Sequence, residues 1–104
     1  MRVLITGSFR QHNDETLNQA LAVAELVGVI PTEIVTGCWV GVDQMAKDYA
    51  KRNKLKLEMV DLGQLPKLPS NLDAVILVSC FGELDESEKF IKLAEKQRIE
   101  VVVW

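Results

Sequence analysis

Ala74-Val75-Ile76-Leu77-Val78 is an apolar run without a polar break, and its reading decides the fold. With its flanks it spans residues 72–79 and reads as a strand covered on both faces, as central strands of parallel sheets are. Residues 55–60, Leu-Lys-Leu-Glu-Met-Val, alternate instead. Alternation implies one wetter face, so this segment reads as a strand at a sheet edge. Residues 61–71 between the two contain Gly63, Pro66 and Pro69 and read as a connector.

Working outward, the apolar spacing switches repeatedly between strand-like and helical. Val3, Leu4 and Ile5 form a short strand ending in Thr6-Gly7-Ser8. Leu17, Ala20, Leu21 and Ala24 recur at helical spacing, so a helix is predicted over residues 14–28. Asn13 or Asp14 can cap its start, and Gly28 can sit near its stop. Pro31 separates this helix from a second strand, Glu33-Ile34-Val35-Thr36. Val42, Met45, Ala46, Tyr49 and Ala50 mark a second helix that Asn53 ends. A third helix is predicted over residues 83–97, with Ser87, Phe90, Ile91 and Ala94 on one face. Its acids (Glu83, Asp85, Glu86, Glu88) lie at the start, and Lys92, Lys96 and Arg98 lie towards the end, which suits the helix macrodipole. Residues 99–104 form a final strand.

Strands alternating with helices imply a parallel sheet covered on both faces. Right-handed crossovers then favour the strand order 3-2-1-4-5. The expected fold is α/β, a Rossmann-like three-layer sandwich with a five-stranded parallel sheet. The first helix carries a second apolar group, Ala22, Val23 and Leu26, off its main stripe. A helix apolar on two sides is buried on two sides. Either the core stripe is wide, or this side is a subunit interface, and a homo-oligomer is expected on the second reading.

At 104 residues the chain has room for one domain, expected to span residues 1–104. Its 48% hydrophobic residues are enough for a core. A net charge of -3 argues against a nucleic-acid backbone as main partner, since phosphate tracking needs a basic face. Two cysteines, Cys38 and Cys80, are too few for a disulfide framework. The chain opens directly on a strand-like run, no signal segment is visible, and no apolar run is long enough to span a membrane. A cytoplasmic location and no membrane partner are therefore expected. His12 is the single histidine and reads as solvated; with no second histidine and no cysteine pair at metal spacing, no metal site is expected, nor is a cofactor.

In an open α/β sheet, ligands bind outside the carboxyl ends of the strands where the strand order reverses. Three loops would border that crevice. In the first, Gly7 lets backbone approach a ligand, Ser8 can donate to a phosphate oxygen and Arg10 can pair with one; the alternative is a plain turn with a solvated arginine. In the second, Gly37 and Gly41 precede a helix start, whose free N–H groups attract anions. Asp43 there reads either as a dipole-compatible carboxylate or as a site residue. Trp39 can stack on a base, or cover core or an interface. The third, Ser79-Cys80-Phe81-Gly82, leads into acids that would repel a phosphate, bind a ribose hydroxyl, or serve only as surface charge.

Residues 1–8 together with Ile34-Val35-Thr36-Gly37-Cys38-Trp39-Val40-Gly41-Val42-Asp43-Gln44-Met45-Ala46 resemble the SLOG superfamily, most closely its small DUF2493-type members. That group also includes the LOG phosphoribohydrolases and the Rossmann domain of DNA-processing protein A. The second loop of the small members reads G-G-x-x-G-x-D-x-x-A, and Gly37, Gly41, Asp43 and Ala46 match it. The resemblance implies binding of a nucleotide or nucleotide-like small molecule at these loops. It places Ser87 at the threonine of a phosphate loop, S-x-G-T, before the last helix, with Gly82 among the candidate binding residues in the loop that leads into it. Here the S-x-G-T stretch reads Leu84-Asp85-Glu86-Ser87, with Glu86 for the glycine and Ser87 for the threonine. Catalytic relatives place a glutamate three residues further on, where this chain has Phe90. The connector also lacks the Arg-Asn stretch of the DUF2493-type members. The expectation is a binding domain without efficient catalysis. One alternative is an N-glycosidase or phosphoribohydrolase acting on nucleoside monophosphates, for which Asp43, Asp85 or Glu86 would have to supply the carboxylate. The second is an oligomeric interaction module with a vestigial crevice.

Overall fold

The computed structural model describes residues 1–7, 14–37, 42–60, 71–78 and 85–103, with the side chains of 14–16 and 85–90 outside that description. The elements run β1 (Arg2–Gly7), α1 (Asp14–Leu26), β2 (Glu33–Thr36), α2 (Val42–Arg52), β3 (Lys56–Met59), β4 (Ala74–Val78), α3 (Asp85–Lys96) and β5 (Glu100–Val103). The strands form one five-stranded sheet of order β3-β2-β1-β4-β5. Every pairing is parallel, with Leu4 opposite both Val35 and Val75, Ile34 opposite Leu57, and Ile76 opposite Val102. This is the order the crossover rule predicts, and β3 lies at an edge as its alternation requires. β4, the uninterrupted run, is buried along its whole length.

Period-two alternation sorts the strand side chains between two cores. Val3, Ile5, Ile34, Ile76 and Val78 face Leu17, Ala20 and Ala24 of α1 and Met45, Ala46 and Ala50 of α2. Leu4, Val35, Val75 and Leu77 face the other way, with Ala94 and the partly buried Ile91 of α3. Alanines at the helix contact positions let the helix backbones lie close to the sheet. On this second side, near the start of the strands, Arg2 forms ion pairs with Glu33 and Glu58, so one guanidinium links β1, β2 and β3. The bond to Glu58 contributes most to raising the Arg2 pKa above its ordinary value.

All three helices end in the same way. Val29 N donates to Ala24 O and Gly28 N to Glu25 O; Leu55 N donates to Ala50 O and Lys54 N to Lys51 O; Ile99 N donates to Ala94 O and Arg98 N to Glu95 O. These paired bonds are Schellman closures, which need a left-handed residue just past the helix and place an apolar residue after it. Gly28 takes that conformation at φ 87°, whereas Lys54 and Arg98 take it at 54° and 58° despite their β-carbons. The apolar residues that follow, Val29, Leu55 and Ile99, pack into the cores. At the end of α2, the Asn53 side chain also donates to Tyr49 O at 2.9 Å, consistent with its predicted role as a stop. α1 ends at Leu26, two residues before the predicted limit, because the closure turns the chain at Gly28.

The second apolar group on α1 divides. Val23 is partly buried against the core, Ala22 is exposed, and Leu26 is 86% exposed. Among the described residues, no helix is long and apolar enough to cross a membrane.

Candidate functional site

The chain runs from β1 to β2 on one side and reaches β4 on the other, so the order reverses between two adjacent parallel strands, β1 and β4. Their carboxyl ends, Gly7 and Val78, are opposite each other. This is the position at which open α/β sheets hold ligands.

Gly7 has a structural cause of its own. A β-carbon there would sit 1.9 Å from the carbonyl oxygen of Val78, so β1 and β4 can close only if this residue has no side chain. Close packing between strands, rather than a ligand, is thus sufficient to account for the glycine.

Asp43 lies in the first turn of α2 and is 1% exposed. The Thr6 hydroxyl, fully buried at the end of β1, donates to Asp43 Oδ1 at 2.7 Å. A carboxylate in the first turn also suits the helix dipole. Thr36, the last residue of β2, donates its hydroxyl to the carbonyl of Ile5 at 2.8 Å, again with both groups buried. Two threonine hydroxyls therefore fasten the carboxyl ends of β1 and β2, one to α2 and one to the neighbouring strand. Both side chains are polar within otherwise apolar buried strands, so each needs a partner, and each has one. A hydroxyl that closes an apolar strand run is the sequence signal by which Thr6 and Thr36 could have joined the candidate residues.

The remaining candidates are placed as follows. Gly37 is buried and follows β2 directly. Ser87 falls in the first turn of α3 as a backbone position, as do Asp85 and Glu86. Ser8, Arg10, Trp39, Gly41 and Gly82 lie outside the described residues, as do His12, Cys38 and Cys80. Of the nine candidates, then, Gly7, Gly37 and Asp43 are brought to the ends of the adjacent strands β1 and β2. No group of three or more metal-ligating side chains occurs among the described residues.

The fold and the reversal of strand order define an α/β protein with a Rossmann-like parallel sheet. No family model, curated protein or solved structure matches the chain.

Proposed function

We propose that this chain is a SLOG-like domain that binds a nucleotide or nucleotide-derived ligand at the carboxyl ends of its strands, without efficient catalysis. The observation that carries this reading is the bond between Thr6 and Asp43 at the margin of the strand-order reversal. It fixes the start of α2 to the end of β1. The segments that follow Gly7 and Thr36 leave from neighbouring parallel strands about 5 Å apart, so the first and second loops start side by side.

On this reading Ser8 and Arg10 grip a phosphate, the N–H groups at the start of α2 add to that grip, and Trp39 stacks on a base. Asp43 acts chiefly in positioning, because its Oδ1 is already engaged by Thr6. Phe90, where catalytic relatives of the resembled group have a glutamate, speaks against turnover.

The test is a thermal-shift panel of nucleoside mono-, di- and triphosphates and cyclic nucleotides at millimolar concentration. Stabilisation by at least one member is expected, and none by any would overturn the reading. A parallel assay for release of free base from the monophosphates tests the absence of efficient catalysis. Rapid release would make the chain an N-glycosidase.

A further inference from the structure

Each of the three helices follows a parallel strand and runs back against it, so their first turns gather at the carboxyl end of the sheet. α1 and α2 cover one face of the sheet and α3 the other, so the crevice between the ends of β1 and β4 is flanked from both faces. Every one of these first turns is acidic in sequence: Asp14 and Glu15 begin α1, Asp43 follows the first residue of α2, and Asp85, Glu86 and Glu88 begin α3. None of the three turns contains a lysine or an arginine. Lys51 and Arg52 lie instead in the last turn of α2 and Lys96 in the last turn of α3, at the far end of the sheet.

Helix starts attract anions, but their magnitude is small: each contributes about half a positive elementary charge. Three starts therefore offset fewer than two of the six acidic residues. The segments that lead from strand to helix, residues 8–13, 38–41 and 79–84, add one arginine, Arg10, and no lysine, while also adding Glu83. One guanidinium matches one phosphate group.

We infer that the site takes a ligand with a single phosphate group and rejects di- and triphosphates. The inference rests on the nucleotide reading proposed above and narrows it. A phosphate paired with Arg10 leaves a second or third phosphate without a cation, between acidic helix starts on both flanks. Sugar hydroxyls and base amino groups are donors that carboxylates accept, so the uncharged part of a nucleotide meets no such repulsion. In water, two like charges about 8 Å apart repel enough for roughly a twofold loss of affinity, so a phosphate facing several acids should cost about three- to tenfold.

Titration calorimetry on the full chain tests it, with the mono-, di- and triphosphates of adenosine, guanosine, cytidine and uridine in EDTA, so that no divalent cation masks the phosphates. At about 0.01 M salt, where the Debye length is about 30 Å, the Kd is expected to rise about three- to tenfold with each added phosphate. At about 1 M salt, where that length is about 3 Å, the ratio should fall towards one. The double variant Asp85→Asn, Glu86→Gln should tighten triphosphate binding more than monophosphate binding. A triphosphate that binds as tightly as its monophosphate at low salt overturns the inference and leaves nucleotide binding standing. So does a preference unchanged by salt, which is steric, or a double variant that shifts both ligands alike. If the variant fails to fold, the salt comparison on the wild type decides. Binding of no nucleotide at all overturns this inference together with the reading it rests on.

Discussion

The hydroxyl of Thr6 donates a 2.7 Å hydrogen bond to Oδ1 of Asp43, joining the end of β1 to the first turn of α2 where neither side chain meets solvent. Thirty-seven residues separate the two, so the bond forms only when the sheet and α2 are both in place. Thr6→Val keeps the shape and removes the donor. Leaving a buried acceptor without its partner costs about 1–3 kcal/mol, and urea denaturation should show a loss of that size. A loss below about 0.5 kcal/mol would mean that water replaces the hydroxyl there.

Gly7→Ala should be more damaging than its single methyl group suggests. The added β-carbon, held rigidly by the backbone of β1, would meet the backbone carbonyl of Val78 in β4 at 1.9 Å, so neither can move without its strand. Overpacking usually costs about 1–3 kcal/mol, and this variant should lie at or beyond the upper end. For a domain of this size that corresponds to a fall in Tm of about 10 °C or more in a thermal melt.

Lys54 and Gly28 hold equivalent left-handed positions and should respond in opposite directions. Lys54→Gly removes the β-carbon clash and is expected to stabilise by up to about 1 kcal/mol, after the greater freedom of glycine in the unfolded chain is deducted. Gly28→Ala introduces the clash and should cost about 1 kcal/mol, although nothing lies within 4 Å of the added carbon. Chemical denaturation of both variants separates conformational strain from lost packing.

Arg2→Met tests the ion pairs across β1, β2 and β3. The groups are partly exposed, so the loss should be no more than about 1 kcal/mol at low salt. It should shrink in 1 M salt, where the Debye length is about 3 Å, because screening removes the attraction in the wild type. A loss that does not change with salt would point to the packing of the arginine stem instead.

Ligand binding makes a quantitative prediction. A nucleotide present at 100 times its Kd stabilises the folded chain by about 2.7 kcal/mol, which for this size raises Tm by roughly 10–20 °C. Arg10→Ala is expected to abolish most of that rise for phosphorylated ligands while leaving the Tm of the free protein nearly unchanged. An undiminished rise would remove Arg10 from the site.

Much of the fold was legible because backbone periodicity and burial leave direct marks on a sequence. The unbroken run at 74–78 identifies the strand covered on both faces, the alternation at 55–60 identifies the edge strand found at 56–59, and Gly28 and Asn53 mark helix ends. The left-handed Lys54 and Arg98 left no such mark, since a lysine or arginine in the last turn reads equally well as a dipole partner. The candidate site was legible only in part. Asp43 could be read as a helix-start carboxylate, but its partner Thr6 could not be named from spacing, and the reason for Gly7 lay on another strand.

The sequence by itself determined the element order, the parallel sheet and the place where its order reverses, because each follows from local periodicity and the handedness of crossovers. Only the tertiary structure decided which apolar residues of α1 meet the core and which meet solvent, dividing Val23 from Leu26. It alone also tied Asp43 to Thr6 and closed Val78 on Gly7. Those outcomes depend on distances between residues far apart in the chain, and such distances exist only once the strands have paired and the helices have docked.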